Sequence, residues 1–283
     1  MNLQWFPGHM AKTRRLIADN LKLVDLVVEL VDARLPMSSR NPEVDQLIKN
    51  KPRVLVLNKA DIADEKATAA FVAAFKKQGV YAVALDSLSG KGMVQFHAVV
   101  QQAMEGIFAK DREKGIRPHA VKMMVVGIPN VGKSSFINRL SGRAAAKTGD
   151  RPGITQTKQW IRIAGKYELL DTPGILWPKF ESQDVALRIA FTGGIKDEIM
   201  DIEELACALL KYLVTNYPSE LDARYKLDED ANNLEPFSLL SLIGKKRGCI
   251  ISGGEVDTFR AANLILDDFR SARIGNITLE IPI

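Results

Sequence analysis

Cysteine is scarce, with 2 in 283 residues. Cys207 and Cys249 lie far apart and form no CxxC pair, so they read as two reduced, buried thiols rather than a disulfide framework. No apolar run approaches the ~20 residues that a membrane-spanning helix needs. The opening MNLQWFPGHMAKTRR has no apolar h-region and no small-residue cleavage site, which argues against a signal peptide. Motif-like sequence begins almost at Met1, which argues against a transit peptide. Internal repeats and low-complexity stretches are missing too. These absences predict a cytoplasmic chain with no membrane partner.

What is present is ordinary in bulk and uneven in charge. Hydrophobic residues make up 46% and charged residues 26%, as in a globular protein with a real core. The length suits one large domain or two of usual size. The net charge is +5, but residues 178–283 hold 12 Lys+Arg against 18 Asp+Glu, leaving 27 basic and 16 acidic residues before them. A basic N-terminal half attracts polyanions, nucleic acid among them.

The hydrophobic pattern predicts a doubly wound α/β sheet followed by helices. VDLVVELVDAR, RVLVLN, VYAVAL and VKMMVVG are short, β-branched apolar runs, as buried parallel strands require. Helix-like segments over 41–49, 65–77 and 91–105 separate them. KQWIRIA and KYELLD, joined through Gly165 and Lys166, predict a β-hairpin. Residues 106–120 are polar, carry Gly and Pro, and read as a linker. After Pro178 the period changes. Ile199, Met200, Ile202, Leu205, Ala206, Leu209, Leu210 and Leu213 recur at helical spacing, as do Ala261, Leu264, Ile265 and Phe269. The expected division is 1–178, a nucleotide domain with an N-terminal extension, and 179–283, a mostly helical domain broken up by Pro218 and Pro236.

Two motifs carry the chemistry. GIPNVGKS, Gly127 to Ser134, follows a predicted strand and opens a predicted helix, the context a phosphate-binding loop needs. Its backbone amides and the helix N-terminus favour phosphate. Asn130, Val131, Gly132, Lys133, Ser134 and Ser135 are expected to line the nucleotide, with Lys133 on the β- and γ-phosphates and the Ser134 hydroxyl on Mg²⁺. NKAD, Asn58 to Asp61, reads guanine. The Asp61 carboxylate suits the N1–H and N2 amine of guanine, whereas adenine would leave it unpaired. Asn58 would brace the loop and the Lys59 stem would lie over the base. LDSLSGKG, Leu85 to Gly92, suits the loop that contacts guanine O6, through either Asp86-Ser87 or Ser87-Leu88. DTPG adds Asp171 as a Mg²⁺ ligand, partly through water, and Gly174 as the sensor of the γ-phosphate. RPGITQ adds Thr155 as the switch threonine on Mg²⁺ and γ-phosphate, with Thr148 and Thr157 as neighbours.

The order is unusual: base reader, O6 loop, phosphate loop, switch threonine, DxxG. It predicts a circularly permuted P-loop GTPase domain, with GTP, GDP and Mg²⁺ as ligands. Permutation keeps the sheet when the old termini lie close together. It also leads the switch segment straight into the helical half. Many GTPases place a water-orienting glutamine after DxxG, but here Ile175 and Leu176 follow. Asn130 is a candidate K⁺ ligand, its alternative a loop-stabilising role. His9 in FPGHM is a candidate for positioning the attacking water. His97 and His119 read as structural.

WFPGHM, VDAR, NPEVDQL, LNKAD, GIPNVGKSS, RPGIT and DTPGILWP, in this order, closely resemble the YlqF/RbgA family, ribosome biogenesis GTPase A. GKKRG, DTFRAANLILDDFR and GNITLE extend the likeness more loosely. The resemblance implies a cytoplasmic GTPase acting late in assembly of the large (50S) ribosomal subunit, stimulated by the particle and by K⁺. It implies catalysis involving His9, Lys133 and Thr155, and a helical domain on rRNA. Lys12, Arg14 and Arg15, and the glycine-flanked turn of Lys245, Lys246 and Arg247, are the candidate RNA contacts, with Arg270 and Arg273 beside them. The expected protein is a monomer with no DNA partner. The other readings are a switch governed by a protein partner and an RNA-binding assembly factor with structural GTP.

Overall fold

The computed structural model describes residues 18–40, 47–48, 51–142, 160–163, 165–170 and 182–282. Six strands form one sheet: β1 Leu26–Asp32, β2 Arg53–Asn58, β3 Tyr81–Leu85, β4 Val121–Gly127, β5 Trp160–Ile163 and β6 Tyr167–Leu170. Their order is β3-β2-β1-β4-β6-β5. All neighbours are parallel except β5 with β6. The fold is therefore mixed α/β with a mostly parallel sheet, as the alternating pattern predicts. Every residue of β1 is buried, because parallel strands are covered on both faces. Edge strand β5 instead alternates exposed and buried. The predicted hairpin turns at Gly165, whose φ of 67° suits glycine.

Helix α1, Glu65–Lys77, begins where the Asp64 carboxylate accepts the Ala67 N–H at 2.7 Å. It buries Phe71 and Phe75, one turn apart, against Val31, Leu55, Leu57 and Ala82. Leu21, Val24, Val27, Ile48, Met124, Val126 and Leu170 form a second apolar cluster. Helix α2, Met93–Glu113, is longer than expected and takes in the first part of the expected linker. Its buried residues, Phe96, Val99, Val100 and Met104, end at Met104, nine residues before the helix does. The polar remainder stays helical because nothing before Gly115 breaks it, so polarity mimicked a linker. Helix α3, Lys133–Ser141, follows the phosphate loop. The expected helix over 41–49 lies mostly outside the described residues.

The chain divides into two compact units. The second consists of α4 Gln183–Phe191, α5 Ile202–Asn216, α6 Pro218–Tyr225, α7 Pro236–Lys246 and α8 Thr258–Arg270. Pro218 and Pro236 open helices rather than merely interrupting one, since the first helical position needs no N–H. The apolar stripe of α5 is buried from Ile202 to Leu213. Ile199 and Met200 precede it, because Asp201 caps the helix by accepting the Glu204 N–H at 2.9 Å. Residues 278–282 return to the nucleotide unit.

Candidate functional site

Parallel α/β sheets bind ligands beyond the C-terminal ends of their strands, and three such ends are tied together here. The link is Asn58, the last residue of β2. Its Nδ2 donates to the Val131 carbonyl of the phosphate loop at 2.7 Å. Its Oδ1 accepts from Ser87 N–H at 3.2 Å and from Ser87 Oγ at 2.7 Å. The expected base reader, O6 loop and phosphate loop are thus joined through one side chain that is 1% exposed.

The phosphate loop runs from the end of β4 into α3. Gly132 caps α3 with φ 95°, and a Cβ there would strike the Asn58 side chain. A Cβ on Gly127 would sit 2.6 Å from the Leu30 carbonyl oxygen. Asn130 holds φ 58°, uncommon for a residue with a side chain. Lys133 Nζ donates to the carbonyls of Gly127 at 3.0 Å and Ile128 at 2.8 Å, which keeps the ammonium within the loop. Ser134 and Ser135 follow in the first turn of α3. A strand, a glycine cradle with no room for Cβ, a lysine and a helix N-terminus fit the phosphates of a nucleotide.

In the O6 loop, the Asp86 carboxylate accepts Leu88 N–H at 2.7 Å and Ser89 N–H at 3.1 Å. Burial alone would raise its pKa, but these hydrogen bonds and Arg139 lower it. Asp86 shapes the loop and Ser87 holds it to Asn58. Arg139 on α3 braces it further, donating to the Ser87 carbonyl at 3.2 Å.

Asp61, the carboxylate of the expected base reader, is exposed. Partial burial, with Asp86 nearby, raises its pKa. Lys59 has φ 60°. Its Nζ lies 3.1 Å from Asp32 Oδ2. Asp32 ends β1 and is paired in register with Asn58. It also receives Arg34 through Nε at 2.9 Å and Nη2 at 2.8 Å. Burial opposes the Asp32 charge, yet Arg34 and Lys59 hold its carboxyl far below the usual range. Burial, opposed by Asp32, lowers the Lys59 pKa. The VDAR motif by itself points to no role for Asp32 or Arg34. The available signal was two like-directed apolar runs, each ending in polar residues, which pairing would place side by side.

His9, Lys12, Arg14, Arg15, Thr155, Asp171 and Gly174 lie outside the described residues. His97 is a packing residue: its ring stacks on Tyr167 with 5.5 Å between centroids, and Nδ1 lies 2.7 Å from the tyrosine Oη. Among the described residues no group of three or more His, Cys, Asp or Glu is placed to hold a metal ion.

In the helical unit, Lys245 and Lys246 end α7 and Arg247 is its C-cap, so the expected glycine-flanked turn is a helix terminus. Arg247 belongs to a cluster around Asp268, which is 1% exposed. Arg224 makes a two-pronged pair with that carboxylate at 2.9 and 2.8 Å. Arg273 lies at 3.3 Å and Arg247 at 3.9 Å. Tyr225 Oη donates at 3.1 Å, and burial with the adjacent carboxylate pushes its pKa up. Arg270, expected beside this patch, is instead paired with Asp197 at 2.6 and 2.7 Å and bonded to the Phe191 and Ala190 carbonyls. No helix in the described residues is long and apolar enough to cross a membrane.

The profile of a family described as a 50S ribosome-binding GTPase matches residues 122–240. Ribosome biogenesis GTPase A of Priestia megaterium is 48% identical over 283 residues, covering 100% of this chain and 98% of that protein. Ribosome biogenesis GTPase A of Thermotoga maritima is 31% identical over 281 residues, covering 99% and 95%. The crystal structure of GNP-bound YlqF from T. maritima superposes with a TM-score of 0.66 at 26% identity, covering 96% of this chain and 98% of that one.

Proposed function

The chain belongs to the ribosome biogenesis GTPase A family and is a GTPase, and on that premise we propose that it serves a late step of large-subunit assembly in the cytoplasm, with GTP hydrolysis stimulated by the ribosomal particle. The observation that supports the nucleotide side is the Asn58 side chain, which ties the NKAD loop to the phosphate loop and to the loop of Ser87. In this reading Asp61 accepts the N1–H and N2 amine of guanine. The loop amides and Lys133 hold the phosphates. Ser134 and Thr155 would hold Mg²⁺, with Asp171 acting partly through water, and Gly174 would sense the γ-phosphate. The metal supplies charge neutralisation at the phosphates. His9 positions the attacking water, since Ile175 cannot. Asn130 would hold a K⁺, which would supply positive charge to the phosphates as an arginine finger does.

The rRNA contact of the helical unit falls on Lys245, Lys246 and Arg247, widened by Arg224 and Arg273. Buried Asp268 spends one negative charge to orient three guanidiniums, so the cluster keeps a net positive charge for phosphates. Lys12, Arg14 and Arg15 form the second contact. The chain acts as a monomer.

Co-sedimentation with purified large and small subunits tests the partner. Binding to the large subunit alone is expected, with affinity falling steeply as salt rises. Lys245, Lys246 and Arg247 changed together to alanine should weaken binding by about 10-fold or more near 0.15 M salt and flatten the salt slope by about 2–3. An unchanged slope would make the patch solvated surface. Retention on isolated ribosomal proteins but not on rRNA would favour a switch governed by a protein partner.

A further inference from the structure

The segment Thr278-Leu279-Glu280 lies 214 residues beyond Asp64 and 242 beyond Ser38, yet it bonds to both flanks of the base reader. On one flank, the Glu280 carboxylate accepts Met37 N–H at 2.6 Å, Ser38 N–H at 2.9 Å and the Ser38 hydroxyl. Leu279 N–H donates to the Arg34 carbonyl at 2.6 Å. This is the Arg34 whose guanidinium holds Asp32, which in turn holds Lys59. Ser39 beside it accepts Asp32 N–H at 3.0 Å. On the other flank, Thr278 Oγ1 accepts Asp64 N–H at 3.1 Å. Asp64 caps α1 three residues after Asp61.

We propose that Thr278 and Glu280 are positioning residues for guanine recognition. They act through Arg34, Asp32 and Lys59 on one side and through Asp64 on the other, and they hold Asp61 where it reads the base.

Packing alone does not explain the arrangement. Ile277 and Leu279 supply apolar burial at 1% exposure each. A carboxylate was not needed to close a core, and burying one costs free energy unless its oxygens are satisfied. Here they meet two backbone amides and a hydroxyl, charge-assisted bonds that fix the Arg34–Ser39 turn in one geometry. The turn and Asp64 bracket the NKAD loop. The bracket's third member comes from the part of the chain that has already passed through the helical unit. Nucleotide selectivity is thereby linked by chain continuity to that unit, through only residues 271–277 after α8.

The proposal rests on Asp61 being the base reader, so the test carries that reading as a control. Dissociation constants for GDP and IDP are measured by competition with a fluorescent GDP, on the full chain. Inosine keeps N1–H and lacks the N2 amine, so the GDP to IDP ratio reports Asp61 placement. Asp61→Ala should collapse the ratio; if it does not, the base-reader reading fails and the proposal with it. With that control in place, Glu280→Ala should weaken GDP binding about 10-fold and lower the ratio severalfold. Hydrolysis per bound GTP should be unchanged at saturation, and Glu280→Gln should restore part of the ratio. Thr278→Val nearly keeps the side-chain volume and removes the buried hydroxyl that accepts the Asp64 N–H. It should shift the ratio in the same direction with the melting temperature lowered by only a few degrees, and so decides the matter if Glu280→Ala does not fold. A ratio within twofold of wild type in the folded variants, beside a collapsed ratio in Asp61→Ala, would overturn the proposal and leave the tail a packing element.

Discussion

Asn58→Ala should lower affinity for both GDP and GTP by about 10²- to 10³-fold while the chain stays folded. The substitution removes hydrogen bonds to Val131 O, Ser87 N and Ser87 Oγ. Leaving such buried groups without a partner costs roughly 1–3 kcal/mol each. Because these bonds hold three loops together, most of the loss falls on the bound geometry rather than on the sheet. Alanine keeps the backbone ladder of β2, and the apolar cluster beside it is built from Leu55 and Leu57 rather than from the Asn58 side chain. The close approach is built in, since Gly132 must remain without Cβ to let Asn58 pass. Fluorescent-nucleotide titration and a thermal melt read the two quantities separately. An affinity loss under about threefold would mean that the loops are positioned independently. That would remove the argument that base and phosphate recognition form one unit.

The second large effect is on stability. Asp32→Ala should destabilise the nucleotide unit by about 3–5 kcal/mol, as removal of one partner from a buried ion pair does. For a unit of this size that lowers the melting temperature by roughly 10 °C. Arg34 at 2% exposure and Lys59 would then face each other without the carboxylate between them. Nucleotide affinity should fall as well, because Lys59 loses the partner that fixes its stem. The effect depends on pH with a definite sign. In the fold the Asp32 carboxyl lies well below its ordinary 3.8, so the unfolded chain takes up that proton first as pH falls. The stabilisation is complete above about pH 4 and is lost progressively below it. Melting curves of wild type and Asp32→Ala should therefore converge as the pH drops below about 4. A gap that stays constant through that range would show that the loss comes from packing rather than from charge.

How far the sequence could be read depended on how local each cause was. Strands β1 to β4 were legible because burial on both faces leaves an unbroken apolar run. The hairpin of β5 and β6 was legible because Gly165 marks its turn. The permuted motif order was legible because each motif is a short string. Boundaries were less so. Residues 105–113 stay helical although they bury little, and composition could not separate an exposed helix end from a linker. Ile199 fits the stripe of α5 by spacing, yet the Asp201 cap starts the helix after it. The site showed the same division. NKAD and the phosphate loop announce their chemistry, and their joining through Asn58 follows once β2 and β4 are placed. The role of Asp32 and Arg34 does not, because it depends on the register Asp32 to Asn58 across two strands. Glu280 was beyond reach, since nothing in GNITLE points to a turn 242 residues away. Arg270 has a partner that its own neighbourhood does not show. A basic residue in a basic neighbourhood reads as a phosphate contact, but an acidic partner from a distant turn, Asp197, claims it.

The most direct test of the central claim is the rate of GTP hydrolysis in KCl buffer, with and without purified large ribosomal subunits. Turnover by the isolated chain should be slow, because no glutamine follows DxxG, and should rise at least about 10²-fold with large subunits, within the range that supplied transition-state contacts give. Small subunits should leave the rate unchanged. Tight GTP binding with no stimulation by large subunits would contradict the particle-activated reading.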